Sequence, residues 1–173
     1  MPKINQQPSN DPLTQNIAHA LLQQQAMLCC AESCTGGGIA KTLTDQAGSS
    51  AWFDRGFVTY SNQAKQQMLG ISPALLATHG AVSQAVVQAM VVGALQHSAA
   101  QFALAVTGVA GPGGGTTDKP TGTVWLAWAS THGALNSSCE HFVGDRIAVR
   151  AATVNHALRG MLRLLEEKNP IQG

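Results

Sequence analysis

The chain is poor in charged and aromatic side chains, and these shortages exclude several kinds of partner. Of its 173 residues only 11% are charged and 5% aromatic, while 45% are hydrophobic. Lys and Arg form no cluster and the formal net charge is +1, which argues against a nucleic-acid surface or a polybasic membrane surface. No apolar run reaches the roughly 18 residues that a membrane span requires. We therefore expect no nucleic-acid partner and no membrane partner.

Cysteine is also scarce, and its spacing fits neither a disulfide framework nor a zinc site. The four cysteines are Cys29, Cys30, Cys34 and Cys139, without any CxxC pair. Adjacent Cys29 and Cys30 face opposite sides of a strand and are poorly placed to pair with each other. We expect buried, reduced thiols, no metal and a cytoplasmic location.

The length predicts one domain. Residues 1–12 are polar and lack the charged and apolar regions of a signal peptide, so we expect a flexible N-terminal lead-in. Residues 13–168 are long enough for one sizeable core and short for two, which predicts a single domain.

Hydrophobic periodicity and capping residues predict the order of elements. Strands are expected at Ala26–Ala31, Gly56–Tyr60, Phe102–Val106, Gly122–Ala129 and Ser137–Val143. Helices are expected at Leu13–Gln25 and Thr35–Leu43, from the Ser61 cap to Leu69, from Pro73, from the Ser83 cap to about Ala99, and from Asp145 to about Glu167. Early alternation of strands and helices, followed by strands joined by loops, predicts an α/β fold. We expect a three-layer α/β/α sandwich with a mixed sheet of about five strands.

Chemistry-bearing residues follow three of these predicted strands. They lie in the segments 32–38, 60–65 and 107–115, which are far apart in the chain. Because ligands collect beyond the carboxyl ends of parallel strands, we expect the three segments to meet at one edge of the sheet.

Ser33 is the candidate nucleophile of the first segment. It stands where a strand turns into a glycine-rich helix start, among unpaired backbone N–H groups that could hold an oxyanion or a phosphate. The alternative is that Ser33 or Thr35 merely caps the helix. Cys34 is a rival nucleophile, because a thiol at a helix start can have a lowered pKa.

A serine nucleophile needs a base, and the histidines do not supply an obvious one. All six lie away from the three segments, and residue 36 is glycine, so no Ser-x-x-Lys arrangement is present. Lys65 remains as a base if burial lowers its pKa, with Tyr60, the only tyrosine, as a proton relay. Taken alone, Lys65 would be a surface residue.

Three further features have both a functional and an ordinary interpretation. Gly111–Gly115 resembles a phosphate-cradling loop but lacks the GxxxxGK[ST] order, and a long turn is the simpler interpretation. Arg146 could clamp a phosphate or carboxylate, or lie on a helix surface beside its N-cap, Asp145. Glu32 could orient Lys65 or pair with a cation.

Seven segments in one order carry a resemblance to a known family. They are AESCTGG, GSSAWF, YSNQAK with LGIS, HGAVS, AVTGVAGPGGGT, KPTGTV and GDR, and they cover most of residues 27–150. Together they resemble the C-terminal domain of the competence/damage-inducible CinA proteins. The free-standing form of that family implies hydrolysis of the amide of nicotinamide mononucleotide (NMN), without a cofactor, in pyridine-nucleotide recycling.

The resemblance also implies roles for individual residues. Ser33 matches the family's nucleophile, Lys65 its general base and Tyr60 an assisting proton relay. Substrate-binding residues are expected at Thr35, Gly36, Gly37, Ser50, Thr107, Gly108 and Arg146.

Two alternative functions stay open at this point, and so does the oligomeric state. A binding module that senses a nucleotide without turning it over would share the glycine loops and Arg146, but would have no use for a lysine of lowered pKa. An amidase for another pyridine or nucleoside amide is the third possibility. The many apolar helix faces suggest a homodimer.

Overall fold

Five strands form one mixed sheet with helices on both faces, as the sequence predicts. The computed structural model describes residues 11–167. Residues 1–10 of the expected lead-in and residue 168 of the expected domain lie outside the described residues. The strands are β1 (Leu28–Glu32), β2 (Phe53–Val58), β3 (Phe102–Gly108), β4 (Thr123–Ser130) and β5 (Leu135–His141). The α-helices are α1 (Pro12–Gln23), α2 (Gly38–Thr44), α3 (Asn62–Leu69), α4 (Pro73–His79), α5 (Gln84–Gln96) and α6 (Arg146–Glu167).

The sheet has the order β2-β1-β3-β4-β5, and its two halves differ in direction. β1 pairs in parallel with β2 and β3, whereas β4 pairs antiparallel with β3 and β5. The chain leaves β1 for β2 on one side and then crosses to β3 on the other. This reversal makes a crevice at the carboxyl end of β1, where open α/β sheets bind ligands.

Each face of the sheet has its own apolar core. Leu28, Cys30 and Cys34 pack with α1, α2 and α6 on one face. Cys29 and Ala31 pack with α3, α4 and α5 on the other. Because side chains alternate along a strand, Glu32 continues the first set and Ser33 the second.

Local capping signals determine several helix boundaries. The Ser61 hydroxyl accepts from the Ala64 N–H at 3.0 Å and begins α3, and Gly70, with φ of 69°, ends it. Asp145 accepts from the Ala148 N–H at 2.9 Å at the start of α6. These boundaries agree with the sequence prediction.

Two boundaries differ from the prediction near the site. α2 begins at Gly38, after a turn, and not at Thr35. β2 runs from Phe53 because it pairs with β1 from Leu28, so Tyr60 lies beyond the strand and not inside it. Among residues 11–167 no helix combines the length and the apolar character needed to cross a bilayer.

Candidate active site

Ser33 lies at the carboxyl end of β1, at the start of the turn that leads into α2. Its N–H donates to the Val106 carbonyl of β3 at 3.1 Å, which extends the pairing of the two strands by one residue. This hydrogen bond holds the backbone of Ser33 in the sheet. The residue is 9% exposed, and its side chain reaches the crevice.

Lys65 of α3 brings an amine to this hydroxyl. Its Nζ lies 3.0 Å from Ser33 Oγ and donates to the Thr59 carbonyl at 2.9 Å. The lysine side chain is 1% exposed. No carboxylate among residues 11–167 lies within 4.0 Å of this amine. Lys65 is therefore a buried lysine without a counter-ion, and not a surface residue.

Burial lowers the pKa of Lys65, because an ammonium inside the protein loses its hydration. A neutral amine still donates to the Thr59 carbonyl and presents its lone pair to the hydroxyl. This is the state in which a lysine acts as a base.

The rival nucleophile, Cys34, has the opposite character. Its thiol is buried, and burial raises its pKa to about 11. The thiolate is the nucleophilic form of cysteine, so this thiol is protonated and unreactive at neutral pH. The structure favours the serine.

Tyr60 and Arg146 close the mouth of the site. Arg146 donates to the Tyr60 hydroxyl at 2.8 Å and, through its other terminal nitrogen, to the Gly111 carbonyl at 2.8 Å. Because the phenol oxygen accepts from a guanidinium, its own proton is free to be donated elsewhere. Tyr60 is 60% exposed, so it stands at the solvent edge.

A cleft of about 250 Å³ joins these groups. Its lining comes from β1, α3, β3, the loops that precede α5 and follow β3, and the start of α6: Ser33, Cys34, Tyr60, Asn62, Lys65, Ala81, Val82, Thr107, Gly108, Ala110 and Arg146. The structure thus brings Ser33, Tyr60, Lys65, Thr107, Gly108 and Arg146 together. Among residues 11–167 no three His, Cys, Asp or Glu side chains cluster closely enough to hold a metal ion.

Thr107 also shapes the cleft wall. Its hydroxyl donates to the Ala81 carbonyl at 2.9 Å and so anchors the 80–82 loop to β3. No residue of Gly111–Gly115 lines the cleft, and Gly113–Gly115 are exposed. This favours a turn over a phosphate cradle.

Thr35, Gly36 and Gly37 lie in the turn beside the cleft and do not line it. The Thr35 hydroxyl and the Gly37 N–H both donate to Glu32, at 2.5 and 3.1 Å, and the Gly36 N–H donates to the Ser33 carbonyl. The amides at the start of α2 that we expected to hold an oxyanion are therefore already engaged. Glu32 neither contacts Lys65 nor pairs with a cation among residues 11–167, which corrects both expectations for it.

Ser50 lies away from the other predicted residues. It is exposed in a short 3₁₀ turn before β2, where the Trp52 carbonyl pairs with the N–H of Leu28 at the start of β1. A five-residue strand spans about 13 Å, so within one chain Ser50 and Ser33 occupy opposite edges of the sheet. Its role in substrate binding stays a prediction.

Sequence reasoning missed part of the site. Asn62 follows the Tyr60-Ser61 pair, and Ala81 and Val82 lie inside the HGAVS segment, so their motifs pointed to them without indicating a role. The Thr59 carbonyl, which fixes the Lys65 amine, gives no signal in a sequence, because every residue has one.

Fold and cleft together define an α/β domain with a serine–lysine pair at its strand crevice. The model of the family described as "CinA C-terminal domain" matches residues 10–165. The chain belongs to this family.

Named relatives extend the comparison. The chain is 51% identical to "Nicotinamide-nucleotide amidohydrolase PncC" of Escherichia coli over 85% of this chain and 89% of that protein. It is 52% identical to the protein of the same name from Pseudomonas putida, over 89% and 98%. The crystal structure titled competence/damage inducible protein CihA, from Agrobacterium tumefaciens, has a TM-score of 0.86 at 47% identity and covers 90% of this chain and 94% of its own.

Proposed function

We propose that the protein hydrolyses the amide of NMN to nicotinate mononucleotide and ammonia. The observation that carries this proposal is the Ser33–Lys65 contact of 3.0 Å, made by a buried amine of lowered pKa without a carboxylate beside it. The names of the relatives from Escherichia coli and Pseudomonas putida support the choice of substrate. We further propose that the reaction serves pyridine-nucleotide recycling.

In the first step the hydroxyl becomes a nucleophile. Neutral Lys65 takes the Ser33 proton while the oxygen forms a bond to the amide carbon, and the carbonyl electron pair moves onto oxygen. The N–H group of Cys34, a residue that lines the cleft, has no hydrogen-bond partner in another residue among residues 11–167, and we assign it to the resulting oxyanion.

In the second step the intermediate collapses. The carbonyl re-forms and the carbon–nitrogen bond breaks, with its electron pair going to nitrogen. The leaving group takes a proton either directly from the Lys65 ammonium or from Tyr60, whose phenolate then takes the ammonium proton, so that Lys65 is neutral again in both cases. Ammonia departs and leaves a nicotinoyl ester on Ser33. Water then attacks the ester with neutral Lys65 as base, the ester bond breaks, and Ser33 regains its proton. The sum is amide plus water to acid plus ammonia.

The experiment measures ammonia release and formation of nicotinate mononucleotide by the purified protein given NMN. We expect turnover by the wild type and a loss of about 10³-fold or more in Ser33→Ala, with an unchanged melting temperature. Acid quenching followed by mass spectrometry should find the acyl group on the peptide that carries Ser33.

Two outcomes would overturn the proposal. Tight binding of NMN without product would show a nucleotide-sensing module. Faster turnover of another pyridine or nucleoside amide in a substrate panel would show an amidase of different specificity.

A further inference from the structure

Glu32 directly precedes the nucleophile and is the most completely buried carboxylate near the site. Its side chain has 0% exposure. No Lys, Arg or His nitrogen within residues 11–167 lies within 4.0 Å of it. A buried carboxylate is costly unless hydrogen bonds replace its hydration, so the groups around it explain why it is tolerated.

Four donors from one short stretch of chain surround this carboxylate. One oxygen accepts from the Thr35 hydroxyl at 2.5 Å and from the N–H groups of Gly37 and Ile39 at 3.1 and 3.0 Å. The other accepts from the Ala40 N–H at 2.8 Å and, as a fifth contact from β1 itself, from the Cys30 thiol at 3.6 Å. The first four donors all lie in residues 35–40, so the carboxylate holds the turn and the start of α2 against the end of β1.

The turn that these hydrogen bonds hold in place carries Ser33. Its chain reversal uses Gly36 and Gly37 with φ of 59° and 99°, values that other residues rarely adopt. From the outside, Arg150 of α6 donates to the Thr35 carbonyl at 3.0 Å. The turn is therefore held from both sides, by Glu32 inside and by Arg150 outside.

The same bonds separate the engaged amides from the free ones. Gly37, Ile39 and Ala40 donate to Glu32 and are closed to a ligand. The N–H groups of Cys34 and Thr35, between Ser33 and the engaged amides, have no partner in another residue within 11–167. Cys34 lines the cleft. The carboxylate thus leaves free the amides beside the nucleophile.

We propose that Glu32 is a positioning residue, an internal anion that holds the Ser33 turn so that the amide of Cys34 faces the oxyanion of the reaction. This inference rests on the proposed acyl-transfer function. Glu32 touches no substrate and acts through the turn. Its loss therefore slows the chemical step more than it weakens substrate binding.

Thr35 offers the sharpest test, because its hydroxyl supplies one bond to Glu32 without lining the cleft. Thr35→Val removes the donor at nearly constant shape, whereas Thr35→Ser keeps it. We expect Thr35→Val to lower kcat about 10-fold or more with KM changed less than twofold, and Thr35→Ser to restore most of the loss. Thr42→Val is the matched control, because the Thr42 hydroxyl, in the helix that follows this turn, donates within residues 11–167 only to the Gly38 carbonyl.

Glu32 itself is tested by two variants. Glu32→Gln places an amide among donors, and we expect a kcat loss of about 10²-fold. Glu32→Ala leaves space for a small carboxylate, so added acetate should restore part of kcat, whereas chloride at equal ionic strength should not. Circular dichroism and melting temperature identify variants that fail to fold, and Thr35→Val then decides alone.

A second readout separates this inference from the choice of substrate. The rate at which a fluorophosphonate labels Ser33, followed by intact mass, needs the nucleophile and the oxyanion amide of Cys34 but not NMN. Labelling of the wild type without NMN turnover would overturn the substrate and leave the Glu32 test intact. Equal labelling and equal kcat in Thr35→Val, Thr35→Ser and the wild type, or losses confined to KM, would overturn the positioning role.

Discussion

The two faces of the sheet treat a buried ionisable group in opposite ways at the end of β1. On the α1, α2 and α6 face, Glu32 is surrounded by five hydrogen-bond donors. On the α3, α4 and α5 face, Lys65 has only a carbonyl and a hydroxyl as partners and no counter-ion among residues 11–167. A buried carboxylate that accepts several hydrogen bonds stays in place as part of the turn. A buried amine without water or an opposite charge has a lowered pKa and can act as a base.

This difference places the proposed nucleophile and base on the α3 side of β1. Ser33 and Glu32 are neighbours in the chain, yet strand alternation sends their side chains to opposite sides. Ser33 meets Lys65 on the α3 side, and the hydrogen bonds that hold the turn surround Glu32 on the α2 side. The proposed catalytic pair and the support of its turn are therefore adjacent in the sequence and lie on opposite faces of the sheet.

Lys65→Met gives the largest expected effect. Removal of the base should lower kcat by about 10³-fold or more. The protein should become more stable, because the variant no longer buries an amine; each kcal/mol gained raises the melting temperature by about 2–4 °C in a chain of this size. Ammonia release and calorimetry measure the two effects.

Lys41→Met is the matched control for this substitution. Lys41 lies on the surface of α2 and pairs only with Asp45 at 2.6 Å. Its loss should leave kcat unchanged and shift stability by less than about 0.5 kcal/mol. Equal effects in the two variants would remove the distinction between the two lysines.

The pH dependence tests the same contrast without a substitution. Burial lowers the pKa of Lys65 from its ordinary value of 10.5, so kcat/KM should fall as pH decreases through this lowered pKa. The free energy of unfolding also falls as pH decreases through this range. Below the folded-state pKa the full penalty of a buried ammonium is present, and it disappears as pH rises towards 10.5, where the unfolded state also loses its proton.

The stability gain of Lys65→Met should therefore be greatest at low pH and vanish near pH 10.5. Melting temperatures of the wild type and the variant across pH 6–10 supply the measurement. A constant difference between the two proteins would mean that lost packing, and not the charge, sets the effect.

Tyr60→Phe should have an intermediate effect. Loss of the phenol removes one proton donor and the partner of Arg146, and we expect kcat to fall about 10²-fold. Because the two side chains share a hydrogen bond, the effects of Tyr60→Phe and Arg146→Lys should not add, and a double-mutant cycle measures the coupling. Strict additivity would show that they act separately.

Ser50→Ala should have the smallest effect. Ser50 is exposed at the far edge of the sheet, so within one chain it contacts neither face of the β1 end. We expect kcat and KM within twofold of the wild type. A loss above fivefold that depends on protein concentration would instead place Ser50 in the cleft of a second copy, in line with the expected homodimer.

Local signals made much of the fold predictable. Ser61 and Gly70 delimit α3 through a side-chain cap and a left-handed glycine, both of which depend on a few neighbouring residues. The apolar run of β3 predicted a central strand because a strand covered on both faces has no polar side. α2 was predicted to begin three residues too early, since the bond between Thr35 and Glu32 competes with the helix in a way that its residue types do not reveal.

The residue types of the candidate site could be predicted from the sequence, but the environments of those residues could not. The sequence alone determined that a serine and a lysine follow strand ends, because strand and helix signals are local. Tyr60 was predicted as the last residue of its strand and lies beyond that strand in the structure. Only the tertiary structure decided that Lys65 is buried and that Ser50 lies at the opposite edge of the sheet. It also decided that Glu32 accepts hydrogen bonds from the turn and pairs with no cation among residues 11–167. Desolvation and strand register depend on residues distant in the chain, and they decide which groups become reactive.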